Sequence, residues 1–306
     1  MTVPINVALA GIGGYGKHYL DALLTDARAG AVRLVGVVEP SPAPVEQLQR
    51  MRELRIPVFA DLDALFGQAR VDLMLLATPI HLHAEHTERS TSAGAHVLCE
   101  KPLGASLSDA IRMIRADRDS GRLIGIGYQW SFSDAIQLLK ADIRRGRFGR
   151  PIRLRAICNL PRGADYFTRN SWAGRIRTGD GTFVLDSPAN NATSHFLHNM
   201  FYVLGATWNA SMMPTSVEAE LYRANAIENF DTAALRCRTA DDVEVLFFTT
   251  HATSTRVGPR FDMEFEDAVV RFDFETASRI TALTRSGQEI DYGDPNADRH
   301  GNIWQC

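Results

Sequence analysis

The sequence predicts an α/β protein with two domains. Residues 1–126 are expected to form a dinucleotide-binding Rossmann domain, which is a doubly wound parallel sheet. Residues 127–306 are expected to form an α+β domain with a large, mainly antiparallel sheet, for substrate binding and oligomerisation. Three observations predict this. The chain of 306 residues exceeds the usual size of one hydrophobic core. Apolar runs alternate with helical segments in its first part, and a glycine-rich turn follows the first run.

The elements of the first part follow from five short apolar runs of strand character, which helical segments separate. The predicted strands are residues 5–10, 32–38, 71–77, 96–98 and 123–126. The predicted helices are residues 15–27, 42–54, 81–93 and 107–120. Ser106 or Ser108 is available as the N-cap of the last helix. Strands that alternate with crossover helices form a parallel sheet.

The pattern changes beyond Gly127. A helical segment near residues 134–145 precedes a strand at 151–158, and a loop rich in Arg, Gly and Asp then runs to Gly181. Alternating runs such as 232–238, 243–250, 260–266 and 269–274 are typical of antiparallel strands linked by short turns. These runs predict the second, sheet-rich domain.

Composition excludes several classes of function. The formal net charge of −3 is not that of a nucleic-acid-binding protein, which normally shows a strongly basic face. The four cysteines are scattered and form no CxxC pair, as in a protein of a reducing compartment. We find neither a basic leader nor an apolar run of membrane-spanning length. The expectation is a cytoplasmic protein with no nucleic-acid or membrane partner.

A glycine-rich turn provides the first functional signal. Gly11-Ile12-Gly13-Gly14-Tyr15-Gly16 follows an apolar strand and precedes a helix, the setting that a GxGxxG phosphate-binding turn requires. Glycines permit the tight turn and let backbone N–H groups approach a pyrophosphate at the helix N-terminus. Glu39, after the second strand, can accept hydrogen bonds from ribose hydroxyls, and this favours NAD over NADP.

A second motif suggests a family. Cys99-Glu100-Lys101-Pro102-Leu103, the segment from Ala77 to Glu85 and the glycine turn together resemble the Gfo/Idh/MocA family, named for glucose-fructose oxidoreductase and inositol dehydrogenase. The resemblance implies that Lys101 lies at the nicotinamide and the substrate hydroxyl. It also implies that cofactor contacts come from the following residues: Thr78, Pro79, His83 and Glu100. Ile80 departs from the family, which often has Asn there.

A histidine-containing segment suggests the catalytic base. On a helix, Asn191, His195 and His198 fall at i, i+4 and i+7 and project from one face. By resemblance His195 aligns with the catalytic histidine of the family, and a histidine suits proton removal from a hydroxyl. Asn191 and His198 stand where carboxylates are usual. Asn191 is expected to hold the substrate as a third catalytic residue, and Asp186 can compensate only if the chain after it folds back.

The remaining substrate contacts are expected from His198, from Tyr128 and Gln129, and from Trp172, because aromatic rings pack against the C–H face of a sugar. No cysteine and no second cluster completes a metal-coordinating set with His81, His83 and His86, so no metal is expected. By resemblance, the second sheet is expected to form a homodimer or homotetramer.

The predicted function is hydride transfer between a nicotinamide and a hydroxyl-bearing carbon of a sugar, cyclitol or related polyol. Two alternatives stay open at this point. One is a glycosidase or lyase of the same family that retains its cofactor. The other is a non-catalytic NAD-binding sensor, which the missing carboxylates around His195 suggest.

Overall fold

The computed structural model describes residues 4–25, 31–40 and 45–297. The chain divides into two compact units, residues 1–127 and residues 128–306. Two ends of predicted helices, at residues 26–27 and 42–44, lie outside the described residues.

The first unit contains a six-stranded sheet in which every neighbouring pair is parallel. Its strands are β1 (Ile5–Ala10), β2 (Val32–Val38), β3 (Val58–Phe59), β4 (Leu73–Leu76), β5 (His96–Cys99) and β6 (Ile124–Ile126). Their order is β3-β2-β1-β4-β5-β6. This is the strand order of a Rossmann sheet, so the predicted fold of the first part is confirmed.

Helices connect these parallel strands. They are α1 (Gly16–Thr25), α2 (Val45–Glu53), α3 (Leu62–Phe66), α4 (His83–Ser92) and α5 (Leu107–Ser120). Ser106 is the N-cap of α5, and its hydroxyl accepts from the Asp109 amide while the Asp109 carboxylate accepts from the Ser106 amide. The helix predicted at 81–93 begins two residues later, after one 3-10 turn at Ile80–Leu82.

The central strand β1 shows why a parallel sheet forms here. Val7, Ala8, Leu9 and Ala10 are all fully buried, so both faces of the strand are covered. A run that is apolar on both faces is typical of a parallel sheet and not of a sheet with one wet face. The strand β1 is therefore packed on both faces at the centre of the sheet, and the carboxyl end of β1 leads directly into the glycine turn.

The second unit contains an eight-stranded sheet. Its strands are β7 (Pro151–Asn159), β8 (Pro214–Tyr222), β9 (Thr232–Thr239), β10 (Glu244–Thr250), β11 (Val257–Phe265), β12 (Ala268–Asp273), β13 (Ile280–Thr284) and β14 (Glu289–Gly293). The order is β14-β13-β12-β11-β7-β10-β9-β8. Only β7 and β10 pair in parallel; the other pairs are antiparallel. The prediction of a large, mainly antiparallel sheet is confirmed.

The described α-helices of the second unit are α6 (Asp134–Arg144), α7 (Ala164–Thr168) and α8 (Ser194–Val203). Ile136 and Leu139 of α6 and Met200 and Val203 of α8 join one core with inward-facing sheet residues such as Phe247. Because α8 is held by this core, the histidines on it are carried by a rigid element.

Candidate functional site

The predicted cofactor residues of the first unit come together at one edge of its sheet. The glycine turn follows β1, Glu39 follows β2, Thr78 follows β4, and Lys101 follows β5. These strands are parallel, so their carboxyl ends share one edge. In open α/β sheets this edge is where ligands bind. The fold therefore collects on one edge groups that lie up to ninety residues apart in the sequence.

The glycine turn is built tightly on one side and open on the other. Gly11 has φ +83°, and a Cβ on it would lie 2.5 Å from the Ala77 carbonyl oxygen. A Cβ on Gly16 would lie 1.9 Å from the Gly11 carbonyl oxygen. At Gly13 and Gly14, in contrast, no atom of the described residues, apart from the chain neighbours, lies within 4 Å of an added Cβ. The turn leaves an open cradle before the N-terminus of α1, which is where a pyrophosphate fits.

Glu39 lies beside the glycine turn, and its contact with the ribose hydroxyls of a cofactor stays a prediction. Its Oε2 accepts a hydrogen bond of 3.0 Å from the Ile12 amide, so the end of β2 is joined to the turn. This contact places a carboxylate next to the cradle. A carboxylate there suits the ribose hydroxyls of NAD and opposes the 2′-phosphate of NADP. The residues present therefore fit an NAD cofactor.

His83 has a different position from the expected one. It is fully buried, with Nδ1 at 2.7 Å from the Pro102 carbonyl oxygen and Nε2 at 2.9 Å from the Thr78 carbonyl oxygen. Burial lowers the pKa of His83, although both hydrogen bonds act to raise it. Since both ring nitrogens face backbone carbonyls, His83 holds the loops of Thr78 and Lys101 together. The expected direct cofactor contact does not fit this arrangement.

Glu100 is also turned inward. Its Oε1 accepts a hydrogen bond of 2.6 Å from the Tyr19 hydroxyl, and its Oε2 accepts one of 3.1 Å from the Lys101 amide. The carboxylate is buried among these donors. Tyr19 was not among the predicted site residues, because its partner is 81 positions away in the sequence. Direct contact of Thr78, Pro79, Glu100 and Lys101 with a cofactor stays a prediction.

In the second unit two predicted histidines share one aromatic neighbour. The Tyr128 ring stacks on His198 with 3.9 Å between ring centroids, and it meets His195 edge-to-face at 5.7 Å. His198 Nε2 also lies 3.1 Å from the Ser131 hydroxyl. Burial, with a smaller effect of Lys140, lowers the pKa of His198 to about 4, so this ring is neutral at neutral pH. Tyr128, His195 and His198 therefore form one cluster.

The prediction that Asn191 and His195 lie on one α-helix is wrong, and their convergence on a substrate stays a prediction. Asn191 belongs to a π-helical turn, Pro188–Ala192, and α8 begins only at Ser194. The Pro188 carbonyl accepts from both the amide of Thr193, at 2.9 Å, and its hydroxyl, at 2.8 Å. These bonds widen the turn, so the rotation per residue assumed for an α-helix does not apply before Thr193.

Asn191 is instead joined to Asp186. Its amide nitrogen donates to Asp186 Oδ1 at 2.7 Å, while Oδ2 accepts from the Gly174 amide at 2.7 Å. Arg169 lies 3.6 Å from the same carboxylate, whose side chain is 4% exposed. The chain after Asp186 thus folds back and brings a buried carboxylate to Asn191. The Asp-Ser-Pro sequence was the available signal, since Ser187 is the N-cap of the turn.

The other expected substrate contacts are separately placed. Trp172 lies in the loop before this turn, with the Arg169 guanidinium 5.5 Å from its ring. Gln129 is buried in a 3-10 segment, Gln129–Phe132. Contact of either residue with a substrate stays a prediction.

In the described part of the chain, no group of three or more His, Cys, Asp or Glu side chains is placed to hold a metal ion. Among the same residues, no helix has the length and apolar character needed to cross a membrane.

Comparison with known proteins agrees with the geometry of the first unit. Residues 5–128 match the family model GFO_IDH_MocA, described as an oxidoreductase family with an NAD-binding Rossmann fold. Among curated relatives, inositol 2-dehydrogenase 1 of Saccharopolyspora erythraea is 29% identical over 165 residues, which are 54% of this chain and 48% of that protein. A 2,7-anhydro-N-acetylneuraminate hydratase of Mediterraneibacter gnavus is 29% identical over 146 residues, 48% of this chain and 37% of the hydratase.

The chain spans less than half the length of the curated relatives it matches. A solved structure extends the likeness to both units. The WlbA dehydrogenase from Bordetella pertussis, in complex with NADH and UDP-GlcNAcA, is 24% identical with a TM-score of 0.79. That match covers 99% of this chain and 82% of the dehydrogenase. The likeness establishes the two-part fold.

Proposed function

We propose that the protein is an NAD-dependent oxidoreductase of the Gfo/Idh/MocA family, because residues 5–128 match the model of that family. It transfers a hydride between the nicotinamide and a hydroxyl-bearing carbon of a sugar, cyclitol or related polyol. The observation that carries this proposal is the open cradle at Gly13 and Gly14 beside the Glu39 carboxylate. The inositol dehydrogenase among the relatives supports the substrate class.

The chemistry divides between the cofactor and the chain. Bound NAD supplies the site that accepts the hydride. In the oxidative direction, His195 takes the hydroxyl proton while the hydride leaves the carbinol carbon with its electron pair. Lys101 hydrogen-bonds the reacting oxygen and stabilises its developing charge. Asn191, anchored on Asp186, holds a substrate hydroxyl.

Replacing Lys101 with Ala tests this assignment. The change removes the ammonium but leaves the glycine turn and Glu39 in place, so turnover is expected to fall at least about a hundredfold while the Kd for NAD changes less than about threefold. Native mass spectrometry for retained nucleotide, followed by a screen of sugars and cyclitols with NAD, provides the substrate for this comparison. Lys17→Ala is the control, because Lys17 is an exposed lysine paired with Asp21 on α1. Undiminished turnover of Lys101→Ala shows that the role is wrong.

The second candidate function is that of a glycosidase or lyase of the same family that retains its cofactor. One observation favours it: a relative is named a hydratase, and the addition of water to a substrate involves no net oxidation or reduction. In such a reaction the nucleotide is retained and is not consumed. The two candidates differ in a direct measurement: the dehydrogenase accumulates NADH in proportion to product, whereas the retaining enzyme forms product without net NADH.

We further propose a cytoplasmic homodimer or homotetramer that assembles through the second sheet. That sheet carries cross-strand ion pairs, including Arg155–Glu264 at 3.4 Å, with both side chains half-exposed, and Arg153–Glu244 at 2.6 Å, with the carboxylate largely buried. Such a charged surface can select a complementary partner. Light scattering at low and high salt tests the assembly, and a monomer under both conditions contradicts it.

A further inference from the structure

A phenol–carboxylate pair joins the helix after the glycine turn to the turn that carries Lys101. Tyr19 lies in α1 and donates from its hydroxyl to Glu100 Oε1 at 2.6 Å. Both side chains are buried: Tyr19 is 5% exposed and Glu100 is 6% exposed. A hydrogen bond to a buried carboxylate is among the stronger ones in proteins. This bond is therefore a fixed link between two parts of the cofactor edge.

The carboxylate is held from its other sides as well. Glu100 Oε2 accepts from the Lys101 amide at 3.1 Å. A Cβ on Gly127 would come within 2.8 Å of Glu100 Oε1, so the chain at Gly127 closes over the carboxylate. The carboxylate thus has one defined position, in which it orients the backbone of Lys101. Pro102 on the far side of Lys101 is held by His83 at 2.7 Å.

We propose that Tyr19 is a positioning residue, which acts through Glu100 to hold Lys101 in its working place. The role rests on the proposed function, in which Lys101 stabilises the reacting oxygen. Tyr19 itself touches no reacting atom. Its hydroxyl fixes the carboxylate, and the carboxylate fixes the lysine by a backbone hydrogen bond and by its charge.

The charges around the pair are consistent with this role. Burial raises the pKa of Glu100, while the charge of Lys101 and the hydrogen bonds from Tyr19 and the Lys101 amide act to lower it. Burial and the Glu100 carboxylate raise the pKa of Tyr19 far above its usual range, with smaller contributions from Tyr15 and Cys99, so the hydroxyl stays protonated and donates. Burial also raises the pKa of the Cys99 thiol, which stays neutral. Loss of the phenol must therefore raise the pKa of Glu100.

The chain allows an unusually clean test, because it contains only three lysines: Lys17, Lys101 and Lys140. Protein labelled with ¹³C at lysine Cε gives three resonances without any cofactor or substrate. Since Lys101 senses the charge of Glu100, its resonance is expected to show the titration of Glu100 as a step, which burial places above the usual range of a carboxyl pKa. In Tyr19→Phe this step moves to higher pH by about one unit, and in Glu100→Gln it disappears.

Tyr292→Phe is the matched control, because Tyr292 donates to the Asp142 carboxylate at 2.7 Å in the second unit. In Tyr292→Phe the Lys101 step is expected at the same pH as in the wild type. Unshifted Lys17 and Lys140 resonances show that each variant is folded. If Tyr19→Phe does not fold, Tyr19→Met takes its place, since it removes the same hydroxyl and leaves the titrating carboxylate of Glu100 unchanged. An unmoved Lys101 step in the variant overturns the proposal.

Kinetics then separate positioning from a merely structural role. Tyr19→Phe is expected to lower kcat about tenfold with KM for NAD within about twofold, and the acid limb of the kcat profile moves with the NMR step. A raised KM with unchanged kcat overturns the proposal, because the effect then belongs to cofactor binding. If the wild type turns over no substrate, the proposed function fails, and the NMR comparison still decides whether Tyr19 fixes Glu100.

Discussion

Gly13→Ala separates a cofactor site from an ordinary tight turn. Within the part of the chain that the structure describes, no atom other than those of its chain neighbours lies within 4 Å of a Cβ added at Gly13, and the φ of Gly13 is outside the left-handed region. The fold itself thus has no need of glycine at this position. If the cradle binds a pyrophosphate, however, the added methyl group occupies the space that the phosphate oxygens require.

The structure gives the expected magnitudes. Alanine at a compatible backbone position restricts the unfolded chain, so the free energy of unfolding should be unchanged or higher by about 0.4–1 kcal/mol. The Kd for NAD should rise at least about tenfold, which corresponds to about 1.4 kcal/mol of binding free energy. Gly16→Ala provides the contrast, because its Cβ would lie 1.9 Å from the Gly11 carbonyl oxygen and must distort the turn.

The assay combines urea unfolding with an NADH fluorescence titration on each variant. We expect Gly13→Ala to keep its stability and lose affinity, whereas Gly16→Ala loses both. Wild-type affinity in a stable Gly13→Ala protein refutes the placement of the pyrophosphate at this turn. A large loss of stability in Gly13→Ala refutes the description of the cradle as open.

Three further predictions concern single side chains. Glu39→Ala should narrow the preference for NAD over NADP at least about tenfold in kcat/KM, because the like charge facing a 2′-phosphate is removed; an unchanged ratio contradicts the role of Glu39. In the folded protein burial lowers the pKa of His198 to about 4, below its unfolded value of about 6.5. The contribution of His198 to the free energy of unfolding is therefore complete above about pH 6.5 and is lost as the pH falls towards about 4, by at most about 3 kcal/mol. His198→Phe should flatten that part of the curve of stability against pH, and a parallel curve rules the assignment out. Asp186→Asn should lower turnover more than it changes the Kd for NAD, because the carboxylate anchors Asn191, and equal effects on both quantities argue against this.

The sequence predicted most of the fold because the relevant patterns are local. The apolar run of β1 is buried on both faces, and Ser106 with Asp109 marks the start of α5. In contrast, β3 at Val58–Phe59 is too short for any periodicity, and it was not predicted. Its existence depends on pairing with β2, which residues 58–59 alone do not encode.

The candidate site was less predictable because its contacts join distant residues. Tyr19 and Glu100 are 81 positions apart, and no local pattern links a phenol in one helix to a carboxylate after a later strand. The single α-helix expected through Asn191 and His195 is interrupted for another reason: the Pro188 carbonyl bonds to Thr193 and widens the turn before α8 begins. His83 resembled a cofactor contact in sequence, but burial directs both ring nitrogens to backbone carbonyls.

Hydride transfer by this protein is measured most directly by the transfer of deuterium from the cofactor to the substrate. Protein is incubated with NADH that carries deuterium at C4 and with a panel of keto-sugars and keto-cyclitols, and the products are examined by mass spectrometry and NMR. We expect deuterium on the new carbinol carbon of at least one product, with transfer lost in Lys101→Ala. Saturable NADH binding without transfer to any member of the panel contradicts the claim.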